Sequence, residues 1–188
     1  MTYDVRRETI DKAAELVRAG KLNERFKATV YHGFRSKKSL KQIKEEGIEY
    51  YAKTYAEARM DADEALRHFG FSTKYSLDAW ESPTSKWRWC IWATTYGPDV
   101  CGWAVRSPEA TFLTLENAYL ELPKTHPPKA EINKYRIERY GRPIASKLLL
   151  EIKAQSIFRN PCNINTERKR IKPSEILDLS FCEEAPIR

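Results

Sequence analysis

The sequence predicts an α+β fold with helices concentrated in the N-terminal half. Three observations lead there. Helical periodicity dominates roughly the first seventy residues. Apolar, β-branched runs dominate after Leu148. The two kinds of element do not alternate as a βαβ chain would. At 188 residues the chain has the length of one domain, given roughly 100–200 residues each. Residues 1–188 are therefore read as a single domain, with an N-terminal helix over 4–19 and a core over about 27–181.

Each element has a local reason. Ile10, Ala13, Ala14 and Val17 form one stripe of a helix over 4–19, and Gly20 stops it. Lys27–Tyr31 is a short β-branched and aromatic strand. Ser36 is a candidate cap for a second helix running to Glu46, with Leu40 and Ile43 on its buried face and Gly47 ending it. Thr54–Phe69 is alanine-rich and helical, and 71–86 reads as a long loop. Arg88–Thr95 is the most strand-like run of the first half. Ser107-Pro108-Glu109 starts a helix to about Leu122 by offering a cap, a first-turn proline and an acid. Lys129–Arg142 is either helix or loop. Leu148–Ile157, Glu167–Ile171 and Ile176–Phe181 read as strands, the last two split by a turn at Lys172-Pro173-Ser174.

Composition narrows the class. Apolar residues are 41% and charged residues 31%, which excludes disorder, collagen and coiled coil for the whole chain. No apolar run approaches the roughly 18 residues of a bilayer span, and the charged N-terminus does not read as a secretion signal. The expected compartment is the cytoplasm, with no membrane partner. Cys90, Cys101, Cys162 and Cys182 form no CxxC pair and His32, His68 and His126 stand far apart, so no metal site is expected. Buried free thiols fit that compartment, although a Cys90–Cys101 disulfide stays open. There is no glycine-rich phosphate loop and no GxSxG elbow.

Net charge is +7 and unevenly placed. Residues 124–172 hold 13 Lys/Arg against 4 Asp/Glu, a local +9, so the remainder is near −2. A basic half suggests an anionic partner; a solubilising surface explains it equally. Lys86-Trp87-Arg88-Trp89 adds rings that could stack on bases.

Three blocks carry the chemistry. Tyr31-His32-Gly33 ends the first strand in YHGFRSKKSLKQIKEEGI, and a glycine beside the histidine lets a ligand approach the backbone. The second block is IWATTYGPDVCGWA, and the third is NTERKRIKPSEILDL. In this order they resemble the ADP-ribosyltransferase fold family, which includes poly-ADP-ribose polymerases, rifampin ADP-ribosyltransferases and bacterial toxins. There a strand ending in YHGT precedes an LxxIxxxG helix, a second strand carries a stacking tyrosine, and a late glutamate precedes an IxPxxI segment. Two positions depart from that pattern: Phe34 follows His32-Gly33 where the family has Thr or Ser, and Trp92 stands where it has Tyr, losing the hydroxyl.

The resemblance implies a split sheet and transfer of ADP-ribose from NAD as co-substrate. His32 would bond the adenosine-side ribose, and the backbone of Gly33 would hold the nicotinamide carboxamide. Trp92 or Tyr96 would stack on the ring, with Thr94 supporting the pocket. Arg35 would pair with the pyrophosphate. Glu167 would bond the nicotinamide ribose and stabilise its developing charge. The acceptor would be a macromolecule, nucleic acid somewhat ahead of protein, reached through the basic 124–172 region.

Each residue also has a plainer reading. His32 could be a structural hydrogen-bonder, Trp92 core, and Glu167 a solvated ion pair beside Arg168, Lys169 and Arg170. Competing functions are a non-enzymatic nucleic-acid-binding protein, an NAD-consuming RNA 2′-phosphotransferase, and a metal-dependent nuclease. The nuclease would use Glu151-Ile152-Lys153 with Asp99 or Glu116 as a further carboxylate.

Overall fold

The computed structural model describes residues 4–49, 55–75, 91–107, 109–121 and 129–184. Its centre is a long antiparallel ladder of β1 (Arg25–Ser36) and β4 (Arg142–Lys153), paired without interruption from Arg25 opposite Lys153 to Ser36 opposite Arg142. The last strand, β7 (Ile176–Phe181), pairs with the other side of β4. Alternation sets the two faces. Ala28 and Val30 of β1 are buried with Leu150 and Leu148 opposite them, whereas Lys27 and Glu151 point to solvent.

Both strands of the central ladder differ from their predictions. β1 runs well past Tyr31, so His32 and Gly33 lie inside a strand instead of at its end. The strand expected over 148–157 starts at Arg142 and stops at Lys153, where helix α7 (Ala154–Arg159) begins (helices are numbered here in chain order). The reason is tertiary. β1 begins at Arg25, so beyond Lys153 the ladder has no partner residue. The amides of Ala154 and Gln155 donate instead to the carbonyls of Glu24 and Leu22.

Two short ladders flank the centre. β2 (Ile48–Glu49) pairs with β6 (Arg170–Ile171), and β3 (Trp92–Ala93) pairs with β5 (Ile164–Asn165). Their isoleucines join Ile43, Ile91 and Ile157 over the apolar face of the central ladder. The strand expected over 88–95 is thus two residues of β3 plus a bridge from Thr94 to Tyr31, with 88–90 outside the described residues. The strand expected from Glu167 starts only at Arg170, because Glu167 takes a left-handed φ of 58° that a strand cannot hold.

Helix α1 (Arg7–Arg18) buries Ala13 and Leu16 and packs on α7. Helix α2 (Leu40–Glu46) is capped by Ser39, not Ser36. Ser36 belongs to β1, while Ser39 and Gln42 form a reciprocal capping box. Helix α4 (Val100–Arg106) lies on the central ladder and ends at Ser107, whose amide donates to the Ala104 carbonyl. Helices α3 (Tyr55–His68), α5 (Glu109–Glu121) and α6 (Lys129–Tyr140) build a second core around Leu66, Phe112, Leu115 and Ile132. Lys129–Arg142 is therefore mostly helix. The architecture is mixed α/β with small antiparallel sheets, and its helices are spread along the chain rather than concentrated in the N-terminal half.

The cysteines also depart from expectation. Cys101 of α4 and Cys182, just past β7, form a disulfide with Cα atoms 5.5 Å apart, while Cys162 is free and exposed; Cys90 lies outside the described residues. Closing a loop over a separation of 81 residues removes about 4–5 kcal/mol of unfolded-chain entropy. None of the described helices is long and apolar enough to cross a membrane.

Candidate functional site around His32 and Gly33

His32 Nδ1 lies 2.7 Å from the carbonyl oxygen of Trp92. A carbonyl only accepts, so Nδ1 carries the proton and Nε2 is left as an acceptor. The Phe34 ring lies parallel to the imidazole, centroids 5.4 Å apart. Ser146 Oγ donates to the His32 carbonyl at 2.9 Å. Burial pushes the imidazole pKa down to about 4, the hydrogen bond to Trp92 only partly opposing it, so His32 is neutral near pH 7.

Gly33 is required by packing. A Cβ there would press on the Val100 carbonyl oxygen and stand 2.5 Å from the Ala104 backbone nitrogen, so α4 sits directly on the strand. The ladder then decides where its backbone groups point. Tyr31 exchanges two 2.8 Å bonds with Thr94, on the side of β1 away from β4. Alternation turns the N–H and C=O of Gly33 to that same edge. The antiparallel bridge of Tyr31 to Thr94, extended by two residues, sets Gly33 opposite Trp92, so both groups point toward β3.

Thr94 is buried at the bridge, and its Oγ1 accepts from the Tyr96 amide at 2.9 Å. Tyr96 is 39% exposed beyond it, while Trp92 is half-buried. Trp92 stands opposite Asn165, so β1, β3 and β5 bring the three sequence blocks onto neighbouring strands. Glu167 follows two residues after Asn165, whose Oδ1 accepts the Glu167 amide at 2.7 Å.

The Glu167 carboxylate does not meet His32. It takes Arg25 Nη2 at 2.7 Å and Lys153 Nζ at 2.8 Å. Arg25 precedes His32 by seven residues of β1, about 23 Å of extended chain at ~3.3 Å per residue. The hydrogen bond from Lys153, then Lys153's charge and Arg25, hold the Glu167 pKa below the usual carboxylate value against partial burial. The ion-pair reading of Glu167 thus holds, with partners other than its sequence neighbours.

Arg35 is not available to a pyrophosphate. It is buried against α4, with Nη1 and Nη2 on Glu184 at 2.9 and 2.5 Å and on the carbonyls of Gly141 and Val105 at 3.0 and 2.9 Å. Arg136 of α6, fully buried, shares Glu184 at 3.6 Å and donates to the Val105 carbonyl. Burial, reinforced by Arg35, pushes its pKa down to about 9. Sequence reasoning missed Arg136 and Glu184. The available signal was the helical stripe Ile132, Arg136, Tyr140, which puts an arginine on a buried face.

Among the described residues, four cations of the basic 124–172 stretch pair with acids from elsewhere, Arg136 with Glu184 among them. Arg139 pairs with Asp61 and Glu64, Arg168 with Glu175, and Arg170 with Glu49. Among the described residues Arg142, Arg159, Lys169 and Lys172 are exposed and make no ion pair. Lys86-Trp87-Arg88-Trp89 lies outside the described residues. Glu151 is exposed and Lys153 is engaged by Glu167; among the described residues no three His, Cys, Asp or Glu side chains gather as a metal site. Comparison with family models, curated proteins and solved structures finds no match.

Proposed function

We propose that the chain is an NAD-dependent ADP-ribosyltransferase with an ADP-ribosyltransferase-like split sheet and a nicotinamide site at the β1 edge. The observation that carries this reading is the placement of Gly33, whose N–H and C=O the strand alternation turns away from β4 and toward Trp92. A carboxamide presents one acceptor and one donor at that spacing, so the Gly33 amide would donate to its oxygen and the Gly33 carbonyl would accept from its nitrogen. Trp92 supplies an aromatic face, and the bare Nε2 of neutral His32 can accept from a ribose hydroxyl.

Breaking the glycosidic bond to nicotinamide sends the bonding pair to the leaving ring nitrogen and leaves an oxocarbenium-like sugar. The chain must position that sugar and offset its charge. Glu167 is the carboxylate proposed for this. Its ionised state suits the role, and its left-handed backbone is strain of the kind found at functional sites. To act, Glu167 must leave Arg25 and Lys153, and the backbone after Asn165 must carry it toward the sugar held beside Trp92. The acceptor proposed is a nucleic acid, drawn by the exposed cations of the 124–172 region, Arg142, Arg159, Lys169 and Lys172.

Calorimetric NAD binding and nicotinamide release, on wild type, His32→Ala and Glu167→Ala, test the proposal. Support is binding weakened at least tenfold by His32→Ala, with release lost in Glu167→Ala while binding persists. An absence of both binding and release at millimolar NAD overturns it.

A further inference from the structure

We propose that the Cys101–Cys182 disulfide is a redox-controlled latch that seats Glu184 on two buried arginines. The proposal stands apart from the reading of His32 and Glu167. The β4–β7 ladder ends at Ile144 opposite Phe181, and the Cys182 amide makes one more bond, 2.9 Å to the Pro143 carbonyl. Beyond that point, among the described residues, the disulfide and the Glu184 ion pairs hold the chain.

Glu184 is two residues from Cys182, so the two constraints act in series. Its carboxylate is the counter-charge shared by Arg35 and Arg136, whose side chains are 1% and 0% exposed. Arg35 Nε and Arg136 Nε and Nη1 make no hydrogen bond among the described residues, and apart from Glu184 both guanidinium groups have only neutral carbonyls as hydrogen-bond partners, those of Gly141, Val105 and Ser107. Withdrawing Glu184 leaves two like charges buried together, a state the fold must open to hydrate. The other end of the latch is α4, which carries Cys101 and rests on Gly33.

The disulfide lies beside a surface cleft, Cys182 itself being 6% exposed and Cys101 half-buried. A cleft of about 310 Å³ is lined by Cys182, Glu184, Pro143 and Ile137. A dithiol supplies the balance. Its thiolate attacks one sulfur, its second thiol closes a new disulfide on the reductant, and two electrons and two protons pass to Cys101 and Cys182 as thiols. The freed segment can then withdraw Glu184, water reaches Arg35 and Arg136, and α4 loses its tie to the end of β7.

The test uses the full chain with and without dithiothreitol, following alkylation of Cys101 and Cys182, thermal melting, and amide exchange of residues 182–184, α4 and β1. The expected result is alkylation of both cysteines only after reduction, a melting temperature lower by about 10 °C or more, and at least tenfold faster exchange at 182–184 and α4. Glu184→Gln separates a latch from a plain cross-link. It should lower the melting temperature strongly in oxidised protein and far less in reduced protein, where Glu184 has already left. Equal effects in both states overturn the latch, as does alkylation of Cys101 and Cys182 without reductant. If Glu184→Gln does not fold, exchange at 182–184 in wild type decides: unchanged protection on reduction overturns the proposal, and lost protection supports it.

Discussion

His32 donates from Nδ1 to the carbonyl of Trp92 across 2.7 Å, and that bond ties the middle of β1 to β3 while burial holds the imidazole neutral. It makes one side chain both a structural tie and a proton-free acceptor.

A pH dependence follows. Folded His32 gains a proton only near pH 4, whereas an unfolded histidine gains it near pH 6.5. Between those values the unfolded chain binds the extra proton, so this contribution is complete above about pH 6.5 and lost as pH falls toward 4. The span corresponds to about 3 kcal/mol. His32→Asn places an amide nitrogen where Nδ1 stood and removes the titration. Urea unfolding at pH 4.5 and 7 should show a steeper loss in wild type than in this variant; parallel losses would contradict the assignment.

Gly33→Ala should destabilise the protein by about 1–3 kcal/mol or more, because its new methyl meets α4 backbone that cannot rotate away. The urea midpoint checks it. A neutral result would mean that α4 does not rest on β1 in solution.

Asp61 accepts from Tyr140 Oη at 2.6 Å, Arg139 Nη2 at 3.1 Å and Thr111 Oγ1 at 3.2 Å, joining α3, α5 and α6. Burial and this hydrogen bond hold the Tyr140 phenol far above its usual pKa. Asp61→Ala strands buried donors and should cost about 2–4 kcal/mol. Once Asp61→Ala is in place, adding Tyr140→Phe should cost little more, which a double-mutant cycle measures.

At Glu167, ion pairing and backbone strain oppose each other. Its partners are 43% and 28% exposed, so the pairs contribute little. Asparagine tolerates the left-handed region better than glutamate. Glu167→Asn should therefore leave stability unchanged or raise it by up to ~1 kcal/mol in thermal or urea unfolding. A clear loss would show that the Arg25 and Lys153 contacts outweigh the strain.

Much of the fold was legible where local signals were strong. The stripe in 4–19, the alanine-rich run after Thr54 and the start near Ser107-Pro108 all lead to helices within a few residues of their observed ends. Strand ends were less legible, because a strand stops where its partner stops. Leu148–Ile157 reads as one run of β-formers, yet it becomes helix at Ala154 since β1 starts at Arg25. In the candidate site, the placement of His32 and Gly33 on one strand was readable from adjacent letters. The burial of Arg35 was not, because its partner Glu184 lies 149 residues away.

Local letters were enough to dictate the mixed helix and strand content and the apolar faces, since these depend on neighbours within a turn or a pleat, whereas the cap of α2 fell on Ser39 because β1 claims Ser36. Which charges meet was settled by the packing in three dimensions. Arg25 and Lys153 claim Glu167, Glu184 claims Arg35 and Arg136, and Cys101 finds Cys182 rather than Cys90. Charge and sulfur pairings act over a few ångströms in space, and no periodicity in the chain records which distant residues the packing of α4, α6 and the central ladder will bring that close.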